Sequence, residues 1–154
     1  MKLDLSVQRA TRRSSRHAIP ATPEIRRWAL AALSGLRRVR VGLLVRIVDE
    51  DESAMLNQWY RDKHGPTNVL SFFYGQQPQR TPGGTLGDIV ICAPLVIREA
   101  RENHKKIKAH WAHLVVHAIL HLRGHDHEAP VEAARMEALE TRVLRGLGFP
   151  DPYA

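Results

Sequence analysis

Thr85-Leu86-Gly87-Asp88-Ile89-Val90-Ile91-Cys92-Ala93 is followed at once by Pro94, and at this junction the period of the sequence changes. Up to Ala93 the run is short, apolar and rich in β-branched residues, the pattern of a strand. Beyond Pro94 the apolar residues recur at helical spacing. Upstream, Thr67 to Tyr74 and Val39 to Val48 read as further strands, and Leu3, Leu5 and Val7 alternate with polar residues in a first one. The turn-rich stretch Gly75 to Gly84 separates the last two. Two helices interrupt the strands. Thr22-Pro23-Glu24 reads as an N-cap with proline at the first helical position, ahead of an inner stripe of Ile25, Trp28, Ala29, Ala32, Leu33 and Leu36. Ser53 to Tyr60 forms a short helix carrying Met55, Leu56 and Trp59. Downstream, a break at Asn103 to Lys106 precedes a strongly apolar helix from about Ala109 to Leu122, stopped by Gly124. Pro130 opens a last helix with Met136, Leu139, Val143 and Leu144 inward, closed at Gly146 or Gly148. Strands come early and helices concentrate late, which makes this an α+β chain.

The chain has 154 residues, the length of one domain, so residues 1–154 are expected to form a single unit. A composition of 44% hydrophobic and 25% charged residues excludes disordered and collagen-like classes. Cys92 is the only cysteine, so no internal disulfide framework is possible and a reducing compartment is expected. No run reaches the roughly 18 apolar residues of a membrane span. Met1 to Val7 lacks the apolar region of a secretory signal. The Arg- and Ser-rich stretch Arg9 to Arg16 has some transit-peptide character, but Asp4 and its shortness count against that, and a cytoplasmic protein is expected. Charge is lopsided: residues 1–46 hold 11 basic residues against Asp4 and Glu24, whereas residues 47–154 hold 12 against 14. A basic region concentrates polyanions, nucleic acid first among them, although arginines also serve as plain solubilising surface. The acidic run Asp49-Glu50-Asp51-Glu52 reads most simply as a solvated turn.

Seven of the nine histidines lie between His104 and His127. His113, His117 and His121 fall at i, i+4 and i+8 of one helix face, and neighbours at i, i+4 are close enough for two imidazoles to meet one ion. His113 and His121, roughly 12 Å apart along the axis, cannot share a metal whose bonds to nitrogen are about 2.0–2.1 Å. The pair His117/His121 is favoured, because Gly124 follows at once and lets the chain double back to bring His127 over the same face. The site then lies at the end of a helix in the C-terminal half. Three histidines leave the fourth position of tetrahedral zinc open, the arrangement of catalytic sites. Nitrogen ligation suits zinc, with nickel, copper and iron as alternatives. His113 reads as a partly buried, hydrogen-bonded histidine or a neighbour supporting a ligand. His125 is a surface residue or a substrate contact, and Asp126 either orients a ligand imidazole or belongs to the turn.

The spacing H-x-x-x-H-x-x-G-x-x-H is shared with metzincin proteases, which carry a glutamate general base directly after the first histidine. Here that position is Ala118, so a zinc peptidase is a weak alternative. His117 to His127 instead resembles the signature H-G-x-L-H-L-x-G-[YF]-D-H of the YbeY family of bacterial metallo-endoribonucleases, departing from it at Ala118 and His125. Further segments similar to that family are Leu56-Asn57 with Tyr60-Arg61, Pro66 to Phe72, Leu86 to Ile91, and Leu147 to Tyr153; Phe73 departs, standing where the family usually has proline. The resemblance implies an α+β fold with a four-stranded mixed sheet and about five helices, and one zinc ion on His117, His121 and His127. It implies that Arg61 is functionally required, where the residue alone would read as a structural salt bridge. It implies single-strand-specific cleavage of RNA in maturing the 3′ end of small-subunit (16S) rRNA and in ribosome quality control. The partners would be that RNA, the ribosome and ribosomal proteins, and no membrane. A ribosome- or RNA-binding factor with a mainly structural zinc is the alternative from another class. In the nuclease reading the arginines among residues 9–46 hold the RNA backbone.

Overall fold

The computed structural model describes residues 1–12, 18–73, 84–125 and 128–154. Tyr74 and the turn-rich stretch as far as Gly83, the second half of Arg9 to Arg16, Asp126 and His127 therefore lie outside the described residues. Four strands form one sheet: β1 (Lys2–Ala10), β2 (Arg40–Val48), β3 (Val69–Phe73) and β4 (Thr85–Cys92), in the order β1-β2-β4-β3. β1 pairs with β2 and β2 with β4 in parallel, while β3 runs antiparallel to β4, so the sheet is mixed. The helices are α1 (Thr22–Ala32), α2 (Glu50–Arg61), α3 (Ala93–Glu102), α4 (Ile107–Leu122) and α5 (Pro130–Gly146). This is the α+β architecture that the change of period at Ala93/Pro94 predicts.

The helix starts follow local chemistry, with two corrections to the sequence reading. α1 is capped at Ala21 rather than Thr22, because the Glu24 carboxylate accepts the Ala21 N–H at 3.0 Å and satisfies it without a capping hydroxyl. The acidic run is no solvated turn: Asp49 is the N-cap of α2, and Glu50, Asp51 and Glu52 fill its first turn. Carboxylates there complement the positive end of the helix dipole. Asp49 also ties β1 to α2, accepting from Thr11 Oγ1 at 2.5 Å and from the Arg12 N–H at 3.0 Å. On α2 the apolar residues Met55 and Trp59 are exposed and the buried side chains are Ser53 and Asn57. They bind the loop ahead of β3: Ser53 Oγ donates to Thr67 O at 2.8 Å and Asn57 Nδ2 to Gly65 O at 2.9 Å.

The core lies between the sheet and α4, with α1 and α5 packed on the same helix. Of the twelve residues from Trp111 to Leu122, all described, nine are buried, and the three that are not are His113, His117 and His121. A helix that is apolar nearly all round is one surrounded by protein. Its single open stripe is the histidine stripe.

One close approach positions that stripe against the sheet. Gly87 of β4 pairs with Phe73 of β3, and a Cβ built on it would stand 2.3 Å from Phe72 O and 2.8 Å from a Leu122 methyl. Neither distance is tolerable, and the nearer contact is backbone. Gly87→Ala must therefore push β3 or the end of α4 away. Overpacking of this kind costs about 1–3 kcal/mol, and urea unfolding of the variant is expected to show a loss in that range.

Candidate metal centre and cleft

The end of α4 is built by Gly124. Its φ of 97° is the left-handed conformation, and the chain forms the paired bonds Gly124 N–H to His121 O at 3.0 Å and His125 N–H to Leu120 O at 3.1 Å. This Schellman closure turns the chain back over its own last turn. The His125 carbonyl thereby comes 3.2 Å from His121 Nδ1. One turn earlier, His117 Nδ1 lies 3.1 Å from Glu140 Oε1 on α5. Each Nδ1 thus faces an acceptor, which fixes its proton there and puts the ring lone pair on Nε2. Metal-ligating histidines are oriented in this way, by a carboxylate or a carbonyl on the other nitrogen. By this chemistry the donor set fits a metal ion; the third expected ligand, His127, lies outside the described residues.

Glu140 is the residue that sequence reasoning missed. It is 1% exposed and also meets His113 Nε2 at 2.6 Å, while Tyr153 donates to its Oε2 at 2.8 Å. Burial alone would raise its pKa, but the bonds from His113, His117 and Tyr153 outweigh that and hold it down to about 2. Tyr153 is correspondingly pushed well above the ordinary phenol range, by burial first and then by its hydrogen bond to Glu140. His113 is the partly buried, hydrogen-bonded histidine that its position suggested. The signal for Glu140 was present in the sequence: it sits at the centre of the stripe Met136, Glu140, Leu144, whose other two members are buried. A carboxylate on an inward stripe must find partners.

His113, His117 and Glu140 are near enough together to hold a metal ion themselves. Two ligands on one tetrahedral zinc stand about 3.3 Å apart, given bonds of about 2.0–2.1 Å. The 2.6 Å between His113 and Glu140 is instead the spacing of a hydrogen bond. In this geometry Glu140, itself held by His113, braces His117.

His117 and His121 line a cleft of about 630 Å³ together with Tyr60, Arg61, Asn68 and Phe73. Arg61 ends α2, where Asp62 turns the chain with φ 51°. Its guanidinium enters no ion pair or hydrogen bond among the described residues, which leaves the salt-bridge reading of Arg61 without a partner. Asn68 is held by Glu99 of α3, to which its Nδ2 donates at 3.1 Å, and Glu99 in turn meets His110 Nε2 at 2.9 Å. These bonds, His110 first, lower the Glu99 pKa from 4.5 against the effect of burial. A carboxylate depressed on folding contributes stability that is complete above its unfolded pKa and is lost as pH falls through the folded value. Glu99→Gln is therefore expected to flatten the fall in thermal stability below about pH 4.5, measured from neutral pH downward.

His125 serves through its carbonyl; burial, and then Arg123, lowers the pKa of its ring. Several of the described N-terminal arginines are engaged by nearby groups, while Arg27 donates to Leu147 O across the fold at 3.2 Å. Arg9 and Arg26 donate to Pro20 O and Leu3 O, and Arg46 to Glu52. Arg40 pairs with Asp4. β1, which carries Arg9, and β3, which borders the cleft, are the two edges of the sheet.

The family model described as "Endoribonuclease YbeY" matches residues 9–148. Curated proteins named Endoribonuclease YbeY are similar over nearly the whole chain. That of Methylococcus capsulatus is 50% identical over 151 residues, covering 98% of this chain and 95% of its own. That of Alkalilimnicola ehrlichii is 51% identical over 153 residues, covering 98% and 91%. The solution structure of TM1509 from Thermotoga maritima matches with a TM-score of 0.53 at 22% identity, over 93% of this chain and 92% of that one, a likeness of fold.

Proposed function

The chain belongs to the endoribonuclease YbeY family, and from that premise we propose that it is a zinc-dependent endoribonuclease of single-stranded RNA. One zinc ion is held by His117, His121 and His127, and Arg61 contacts the phosphate. The observation that supports this most is that Arg61 and two of the three proposed ligands, from separate helices, line one cleft. A bound zinc ion supplies Lewis acidity there, towards a phosphoryl oxygen or water. Arg61 pairs with the phosphate through its planar fork and stabilises charge that develops on it. Glu140 and the His125 carbonyl keep the ligand rings in register. The substrate is 3′-end precursor of small-subunit 16S rRNA, with the ribosome and ribosomal proteins as partners in maturation and quality control. The buried thiol of Cys92 accords with a reducing, cytoplasmic setting.

Stripping the metal with a chelator is expected to abolish cleavage of an unstructured RNA, and added zinc to restore it. Circular dichroism should persist throughout; a melted apo-protein that still bound no RNA would favour the structural-zinc reading. The product ends assign the nucleophile: a 2′,3′-cyclic phosphate means attack by the RNA 2′-hydroxyl, a 5′-phosphate with a free 3′-hydroxyl attack by water.

A further inference from the structure

We propose that Phe73 and Tyr60 are base-stacking platforms on either side of the site, and that they give the cleft its preference for single strands; this rests on the nuclease reading above. β3 is the edge strand of the sheet, and consecutive residues on a strand face opposite ways. Phe72 and Phe73 therefore straddle it. Phe72 packs with the small cluster beneath α2 and meets Tyr60 edge-on, with ring centroids 4.9 Å apart at 70°. Phe73 faces α4, its ring centroid 5.6 Å from that of His121. Both aromatics line the cleft that holds Arg61, and both are open to solvent, Tyr60 at 65% and Phe73 at 44% exposure.

Large apolar rings exposed on the rim of a polar cleft contribute little to the fold. For Phe73 the exposure is at an edge strand, where one neighbour is missing; for Tyr60 it is at the last turn of α2, next to Arg61. A phosphate paired with Arg61 would carry a base on each side, one towards Tyr60 and one towards Phe73. Bases stack on aromatic faces whatever their identity, so such platforms bind without reading sequence. A base already paired and stacked in a duplex has no face to offer. Selectivity for single strands then follows without a contact that measures helix geometry.

The test uses the full chain as purified and a 2′-O-methyl RNA oligonucleotide carrying 2-aminopurine; the oligonucleotide has no free 2′-hydroxyl to attack, and its integrity is checked after each titration. Wild-type protein is expected to bind it with a change in 2-aminopurine fluorescence that reports stacking. Phe73→Ala and Tyr60→Ala should each weaken binding about tenfold, and Phe73→Leu should do the same although it keeps apolar bulk. Phe73→Trp should restore affinity and the fluorescence signal. On cleavable RNA the alanine variants should raise KM more than they lower kcat. If wild type cleaves RNA while Phe73→Ala, Phe73→Leu and Tyr60→Ala bind and respond like it, the platforms are refuted and the nuclease stands. If Phe73→Leu alone matches wild type, Phe73 acts by packing and not by stacking, and its platform is refuted. If wild type neither binds nor cleaves RNA at all, the nuclease reading itself fails.

Discussion

Arg61→Ala is expected to lower kcat for RNA cleavage by about 10²–10³-fold, the cost of removing one group that stabilises transition-state charge. Fold and zinc content should be unchanged. The reason lies in where Arg61 sits. It is the exposed last residue of α2 and enters no ion pair or hydrogen bond among the described residues. Surface truncations away from such contacts change stability by no more than about 0.5 kcal/mol. A residue that the fold does not use can be removed without a structural cost, so any loss belongs to the reaction. Arg61→Lys should recover only a small part, since an ammonium ion cannot present the planar pair of donors that a phosphate accepts. The comparison requires matched zinc content in every variant. Equal cleavage by wild type and Arg61→Ala would either remove Arg61 from the reaction or point to a contaminating nuclease.

Such a separation of roles was only partly legible in the sequence. The strands and helices were, because their burial is local and periodic: Ile25, Trp28, Ala29 and Ala32 are buried on α1, and Leu33 at its cap, as their spacing requires. The histidine stripe was legible for the same reason, set at fixed intervals on a helix otherwise apolar. What a period cannot carry is the identity of a partner from another element. Glu140 approaches His117 across 23 residues, and Glu99 reaches Asn68 across 31. Both are ordinary helix carboxylates until the helices pack. On α2 the same limit acted in reverse, since Met55 and Trp59 suggested an apolar inner face. The buried positions are Ser53 and Asn57, because the loop Gly65 to Thr67 offers backbone groups that only polar side chains can satisfy. The basic N-terminal region read as one surface, yet four of its arginines are tied to separate partners, Leu3 O, Pro20 O, Asp4 and Glu52.

His121→Ala protein is expected to lose its zinc, whereas His113→Ala should retain about one ion per chain, read by elemental analysis of dialysed protein. The two variants separate the candidate positions for the metal. His117 belongs to both, with His121 and His127 on one side and with His113 and Glu140 on the other. At the second position Glu140 is 2.6 Å from His113 Nε2 and 3.1 Å from His117 Nδ1. An ion there would have to part groups that already satisfy one another, at the expense of the bonds that hold a buried carboxylate ionised. At the first position the same bond becomes an asset, because it fixes the His117 ring with its lone pair on Nε2. Glu140→Gln then supplies the graded case. It keeps the shape but replaces the carboxylate with a neutral amide, and loss of such a supporting partner typically weakens metal affinity about 10–100-fold. A ligand loss at His121 should exceed that. If His113→Ala empties the protein of zinc while His121→Ala keeps it, the ion sits between α4 and α5, and the cleft that Arg61 lines is not where the chemistry occurs.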